Sequence, residues 1–260
     1  MLEKVDLDLS LSKSEFKERL KLAGEKLTLS QRACWEAGIP IVILFEGWDA
    51  SGKGTSINFL TQYMDPRGFR IHPIKGATSL EKQMPWMWRF WLRTPNYGEV
   101  GIFDRSWYGR ILVERVEGLV EEKIWRDAYQ DIVDFEHTLA EDGYLIIKFF
   151  MHISKKEQKK RFKKLESDPL ESWRVTKEDW NHHKKYDDYV LAIEEMLART
   201  DTEWGSWVIV EATDRYWSHL KVMEFVSRRM GEALIARGKP VPVVAEKPEV
   251  SDEKDQGEVQ

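Results

Sequence analysis

Ile41-Val42-Ile43-Leu44-Phe45-Glu46-Gly47-Trp48-Asp49-Ala50-Ser51-Gly52-Lys53-Gly54-Thr55 decides the fold. Its five leading apolar residues suit a central parallel strand, buried on both faces. Gly47 and Gly52-Lys53 then stand at the spacing of a phosphate-binding loop. In such a loop, backbone N–H groups turn inward around a polyphosphate and the lysine neutralises its oxygens. Glycines let the chain approach the anion at angles that a Cβ opposes. A helical pattern follows, with Ile57, Leu60 and Met64 on one face, and adds the positive end of its dipole. An ordinary strand–turn–helix with a surface lysine shares this outline, but the strand before and the helix after supply the required context.

The residue after the lysine is Gly54, so the usual hydroxyl ligand for magnesium is missing there, and Thr55 lies one step on. Asp49 sits inside a loop built for anions. A carboxylate there repels them unless a cation stands between, which makes Asp49 a candidate metal ligand. A second motif comes about 50 residues later: Glu99-Val100-Gly101-Ile102-Phe103-Asp104-Arg105-Ser106-Trp107-Tyr108. A short apolar strand again ends in an acid. Asp104 is placed to hold Mg2+ at a neighbouring strand tip, and Arg105 to grip a transferring phosphoryl group with its planar fork. Taken alone, the same residues also read as a turn that caps the next helix.

The 260 residues suffice for one large α/β domain, expected over 1–239. With 33% charged residues and a net charge of −5, no global affinity for nucleic acid is expected. One cysteine, Cys34, excludes an intrachain disulfide and reads as a small buried apolar residue. No run of about 18 apolar residues is present, so no membrane span is expected and the default location is cytoplasmic. The twelve tryptophans, with Trp86, Trp88 and Trp91 clustered, are expected mainly in the core or in subunit contacts, with stacking on a nucleotide base as the alternative.

Residues 1–12 read as loosely ordered. Helices are expected at 13–36 (Phe16, Leu20, Ala23 and Leu27 inward), 53–64, 79–93, 121–142 (Ile124, Ala128, Ile132, Phe135 and Leu139 inward) and 215–236. Strands are expected at 40–46, 69–75, 99–104, 144–152 and 207–211. This alternation predicts a mainly parallel five-stranded sheet with helices on both faces. Residues 240–260 carry a charged tail without apolar period, read as disordered or peripheral.

Between the fourth and fifth strands, Lys155–Lys164 holds seven basic residues in ten, and a second helix is expected from 176 to 199. A helical insertion at about 154–200, at the C-terminal edge of the sheet, would form a lid that excludes water. A solvated basic helix is the plainer alternative. The charge density suits a polyanion longer than a nucleotide's phosphates. His182 and His183 are adjacent and point apart on a helix, so they suggest no metal site.

Taken together, these stretches resemble the polyphosphate kinase 2 family. The resemblance rests on Phe45–Gly54, Phe103–Tyr108, Glu157-Gln158 with Arg161-Phe162, Asp168-Pro169 with Trp173, and Thr202, Trp207 and Glu211-Ala212. It covers about residues 15–235, and glycine after the loop lysine is a family trait. Trp48 departs from the pattern, since many members carry Arg there. The resemblance implies a P-loop kinase fold similar to thymidylate kinase, and Mg2+-dependent transfer (Mn2+ as the alternative) between inorganic polyphosphate and an adenine nucleotide, with guanine as the alternative base. It maps Asp49 and Asp104 to metal or acceptor-phosphate handling. Gly52, Lys53, Gly54, Arg105 and Arg161 map to the polyphosphate, followed by Lys164 and Arg174. Asp104-Arg105-Ser106-Trp107-Tyr108-Gly109-Arg110 and Phe135-Glu136 look most like the polyphosphate:AMP phosphotransferase subgroup, which points to AMP going to ADP. Family analogy also implies a homo-oligomer, a dimer or tetramer.

Chemically, the acceptor phosphate oxygen is already anionic and needs no strong base, so Asp49, Lys53, Asp104 and Arg105 act by positioning and charge stabilisation. Arg89 and Arg93 are candidates for holding the acceptor's phosphate, with surface ion pairing as the alternative. Other readings are a polyphosphate-dependent ADP-to-ATP kinase, an ATP-dependent nucleoside monophosphate kinase, a non-catalytic phosphate-binding module, and nucleic-acid binding through the basic helix.

Overall fold

The computed structural model describes residues 1–244. Within them the order is α1 (Lys13–Glu36), β1 (Ile41–Gly47), α2 (Lys53–Thr61), β2 (Phe69–Pro73), α3 (Trp88–Trp91), β3 (Val100–Asp104), α4 (Val113–Val116), α5 (Glu122–Glu141), β4 (Leu145–His152), α6 (Lys155–Glu166), α7 (Lys177–Lys184), α8 (Tyr186–Thr200), β5 (Trp207–Glu211) and α9 (Arg215–Ala236). Side-chain caps set several starts. Ser12 and Glu15 form a capping box on α1, Thr176 and Asp179 one on α7, and Ser154 and Asp214 cap α6 and α9.

All paired strands run parallel, in the order β2-β3-β1-β4-β5. Ile41 to Glu46 of β1 and every residue of β4 are buried, as strands covered on both faces must be. α1, α2 and α9 pack together as one helical group; α4, α5 and α8 form another. Register brings the functional tips together: Phe45 lies opposite Asp104, and Gly47 opposite Met151.

One buried residue of β4 is charged. Lys148 bonds Glu136 at 2.8 Å, the Tyr108 hydroxyl at 3.1 Å and the Thr200 carbonyl at 2.6 Å. Trp107 Nε1 and the Tyr108 hydroxyl donate to the other oxygen of Glu136. The aromatic pair after Asp104-Arg105 is thereby tied into the core.

Four expectations need correction. No single helix spans 79–93: Pro85, which lacks an N–H, separates a short turn at Glu81–Gln83 from α3. The helix expected from 176 to 199 breaks at Lys185 into α7 and α8. Ile124 is 45% exposed, because it lies in the first turn of α5, before that helix meets the core. Residues 1–12 are not wholly loose, since Leu2 is buried and its N–H bonds Glu194. Of the 240–260 tail, residues 245–260 lie outside the described residues. Cys34 is buried, and burial pushes its thiol up to about 12.

Candidate active site

The loop between β1 and α2 is shaped by its glycines. Gly47 has φ +139°, and a Cβ there would fall 2.4 Å from the Met151 carbonyl oxygen, so only glycine fits against β4. Gly52 has φ +100° and precedes α2. Ala50 and Arg105 also adopt positive φ, of 58° and 62°, although neither is glycine. Such strain persists where surrounding contacts hold it, and it collects at functional sites.

Lys53 opens α2, and its Nζ donates to the carbonyls of Gly47 at 2.7 Å and Trp48 at 2.9 Å. Burial lowers its pKa, against the attraction of Asp49. The carboxylate of Asp49 accepts from Arg105 at 2.8 Å and meets His182 Nδ1 at 2.9 Å. Burial opposes ionisation of Asp49, but His182, Lys53 and Arg105 overrule it and hold the carboxyl well below the usual range. Asp49, Lys53, Asp104 and Arg105 therefore converge at the C-terminal tips of β1 and β3, as their spacing predicts.

Asp104 is partly exposed, and its Oδ2 lies 4.0 Å from where a Cβ on Gly54 would sit. The start of α2 thus lies beside this carboxylate, close enough for a side chain at 54 to touch it. Among the described residues no three or more His, Cys, Asp or Glu side chains gather as a metal centre. Carboxylate oxygens are the donors a hard divalent cation takes beside substrate phosphates and water; Asp104 and Asp49 are the acids at these tips, and both oxygens of Asp49 already meet Arg105 and His182.

An open cavity of about 840 Å³ lies beside the loop. Ala50, Ser51 and Gly52 form one wall; Lys160, Lys164 and Arg174 from the α6–α7 region line another, with Arg215 at the start of α9. Four acids also line it, each engaged: Glu157 by Lys160 and Arg161, Glu171 by Arg174, and Asp168 and Asp214 by backbone N–H groups. The Ser51 hydroxyl is buried without a partner in the described chain.

Arg161 behaves differently from its sequence expectation. Its Nε donates to Glu157, one terminal nitrogen to the carbonyls of Ala50 and Ser51, and the other to those of Ala212 and Thr213. All five N–H donors are spent on the protein. The side chain clamps the loop to the β5–α9 turn and offers no spare donor to the cavity. Arg89 lies in α3 and Arg93 just after it, and the Arg89 side chain is only 12% exposed. Both pair with Glu81, and Arg89 also donates to the Lys75 carbonyl.

The sequence reading assigns no role to His182, Gln158 or Glu46, although Gln158 and Glu46 lie in stretches that carry the family resemblance. Adjacent histidines lack metal spacing, and nothing local shows that α7 folds back onto Asp49. Glu46 is the buried end of β1, where it accepts from Ser106, and burial raises its pKa. Trp48 stacks on Tyr186 with ring centroids 3.9 Å apart and donates to His152 Nδ1 at 2.9 Å. The aromatic ring at this position thus fastens the loop to α8.

A parallel five-stranded sheet, a glycine loop joining its central strand to a helix, and an acid at the tip of the neighbouring strand define the P-loop kinase class. The chain matches the family model "Polyphosphate kinase 2" over residues 10–237. It is 39% identical over 239 residues to the polyphosphate:AMP phosphotransferase of Pseudomonas syringae pv. tomato, covering 92% of this chain and 48% of that one. It is 40% identical over 227 residues to the polyphosphate:AMP phosphotransferase of Pseudomonas aeruginosa, covering 87% and 46%. The chain thus spans about half the length of these two relatives. The crystal structure of polyphosphate kinase 2 from Arthrobacter aurescens superposes with a TM-score of 0.86 at 28% identity, covering 95% of this chain and 89% of that one. The chain belongs to the polyphosphate kinase 2 family.

Proposed function

We propose that this chain transfers a phosphoryl group between inorganic polyphosphate and a nucleotide, with AMP as acceptor and ADP as product. The observation that carries this reading is the cavity of about 840 Å³, in which the phosphate loop with its unpartnered Ser51 hydroxyl faces Lys160, Lys164, Arg174 and Arg215. Four cations lining one cavity beside the loop suit an anion chain longer than a nucleotide's phosphates, with Lys160 and Arg174 leaving Glu157 and Glu171 to meet it. The choice of AMP is supported by the names of the two relatives with about 40% identity.

In this reading α6, α7 and α8 form a lid over residues 155–200, within a domain of residues 1–239. Gly52, Lys53 and Gly54 cradle the terminal phosphates, and Lys164 and Arg174 hold the following units. Arg161 fixes the loop rather than the chain of phosphates. Arg105 stabilises charge on the transferring group, and Asp49 orients Arg105. Arg89 and Arg93 take the acceptor's phosphate only after leaving Glu81. A divalent cation, Mg2+ or Mn2+, would be held by Asp104 with Asp49, and would neutralise charge on the phosphate oxygens. Transfer itself needs alignment and water exclusion rather than a base. The acceptor nucleotide and the lone buried thiol suit a cytoplasmic setting, and a homo-oligomer is part of the same proposal. Among the described residues no helix is long and apolar enough to cross a membrane.

The test is donor choice. Purified protein with Mg2+ and AMP is given either long-chain polyphosphate or ATP, and nucleotides are resolved by chromatography. ADP formed with polyphosphate supports the reading; no product from polyphosphate rejects it.

A further inference from the structure

Two adjacent histidines of α7 hold the same loop residue by different routes. His182 Nδ1 lies 2.9 Å from Asp49 Oδ2. His183 Nδ1 lies 2.7 Å from Gln158 Oε1, and Gln158 Nε2 donates at 3.2 Å to the Asp49 backbone carbonyl. The proton positions follow from chemistry. An ionised carboxylate only accepts, so His182 must carry a proton on Nδ1. A carbonyl also only accepts, so Gln158 turns its amide nitrogen to Asp49 and its oxygen to His183, which must then be protonated on Nδ1 too.

The two rings diverge from neighbouring positions on one helix and converge on one residue. His182 fixes the side chain of Asp49; His183, through Gln158 of α6, fixes its backbone. The other oxygen of Asp49 accepts from Arg105. The placement of α7 is therefore transmitted through Asp49 to the arginine at the tip of β3. Around His182 stand Glu178 of the same helix, with Oε1 3.9 Å from Nε2, and the ring of Tyr189 from α8 at 5.5 Å between centroids.

We propose that His182 is a positioning residue that couples closure of the α6–α8 lid to the orientation of Asp49 and Arg105, with His183 and Gln158 as the second arm of the coupling. The proposal rests on the functional reading above. It predicts that the closed lid, rather than the loop alone, assembles the group that stabilises the transferring phosphoryl, so that transfer waits on closure.

Three variants separate this role from simple packing. Asn presents an amide N–H near the position of the imidazole Nδ1, Gln presents it one bond further out, and Ala presents none. His182→Ala is expected to lower kcat roughly 10- to 100-fold, as for loss of a hydrogen bond to a charged group, with KM for polyphosphate within about threefold. His182→Asn is expected to recover to within about threefold of the parent, and His182→Gln to stay near Ala. Hydrogen exchange without substrate gives a second reading: amides of 177–184 should exchange about tenfold faster in His182→Ala and near the parent rate in His182→Asn. The proposal is overturned if Ala matches the parent in kcat, if Asn is as impaired as Ala, or if exchange of α7 is unchanged. Should the Ala variant fail to fold, the Asn and Gln pair decides alone. A parent protein that makes no ADP from polyphosphate rejects the functional reading, while the exchange comparison still decides the coupling.

Discussion

Arg105 Nη2 donates to Asp49 Oδ1 at 2.8 Å, across 56 residues of sequence. The bond joins the loop after β1 to the tip of β3, and Arg105 reaches it with φ +62°. A lysine is a compact point charge without the planar fork, so it cannot hold Asp49 and a phosphoryl group together. Arg105→Lys should lower kcat/KM for AMP with polyphosphate roughly 100- to 1000-fold while shifting the thermal midpoint little. Steady-state kinetics beside a melting curve checks this; activity within about threefold of the parent would remove Arg105 from the machinery.

Gly47 tests the loop's geometry. Its missing Cβ would lie 2.4 Å from the Met151 carbonyl oxygen and 2.7 Å from the Met151 nitrogen, both backbone atoms that cannot swing away. Gly47→Ala should cost about 3 kcal/mol or more in urea unfolding. Gly38→Ala, at φ +66° with nothing within 4 Å of the added carbon, should cost about 1 kcal/mol.

The Lys148–Glu136 pair makes a prediction about the core. Lys148→Met leaves one oxygen of a fully buried carboxylate without its cation, and should cost about 3–5 kcal/mol. Adding Glu136→Gln removes the orphaned charge and should restore at least about half of that loss. Denaturant midpoints of the single and double variants check this; additive losses would show that the two side chains do not act as a pair.

The histidines should titrate apart. Burial lowers His152 and His219 to about 4. The hydrogen bond to Asp49 raises His182, against burial. A ring whose folded pKa is depressed favours folding above its unfolded value near 6.5, and that contribution is lost as pH falls toward 4. A ring whose folded pKa is raised contributes below its unfolded value and loses that contribution as pH rises through its folded value. NMR titration should show His152 and His219 neutral at pH 5 while His182 is charged. Midpoints near 6.5 for all three would contradict the packing described.

Much of the site was legible because its signals are local. Strand, glycine turn and lysine lie within fifteen residues, and Asp104-Arg105 ends a strand whose apolar run is plain. Parallel order follows from the alternation of strands and helices. What was hidden depends on chain separated in sequence. Arg161 reads as a free cation in a basic run, but its neighbours are carbonyls of Ala50, Ser51, Ala212 and Thr213, so its charge is spent on the backbone. His182 beside His183 lacks metal spacing, and its partner Asp49 lies 133 positions away. Residues 79–93 read as one helix, and Pro85 inside that span breaks it. Lys148 interrupts the apolar run of the fourth strand, and only packing against α5 supplies its partner Glu136.

The most direct test of the central claim follows phosphorus itself. 31P NMR of polyphosphate, AMP and Mg2+ with the parent protein should show ADP appearing as internal phosphate units are lost, one for each ADP formed. Lys53→Ala, folded by circular dichroism, should slow this at least roughly 1000-fold. Transfer at equal rates in both proteins, or none from the parent, would contradict the account.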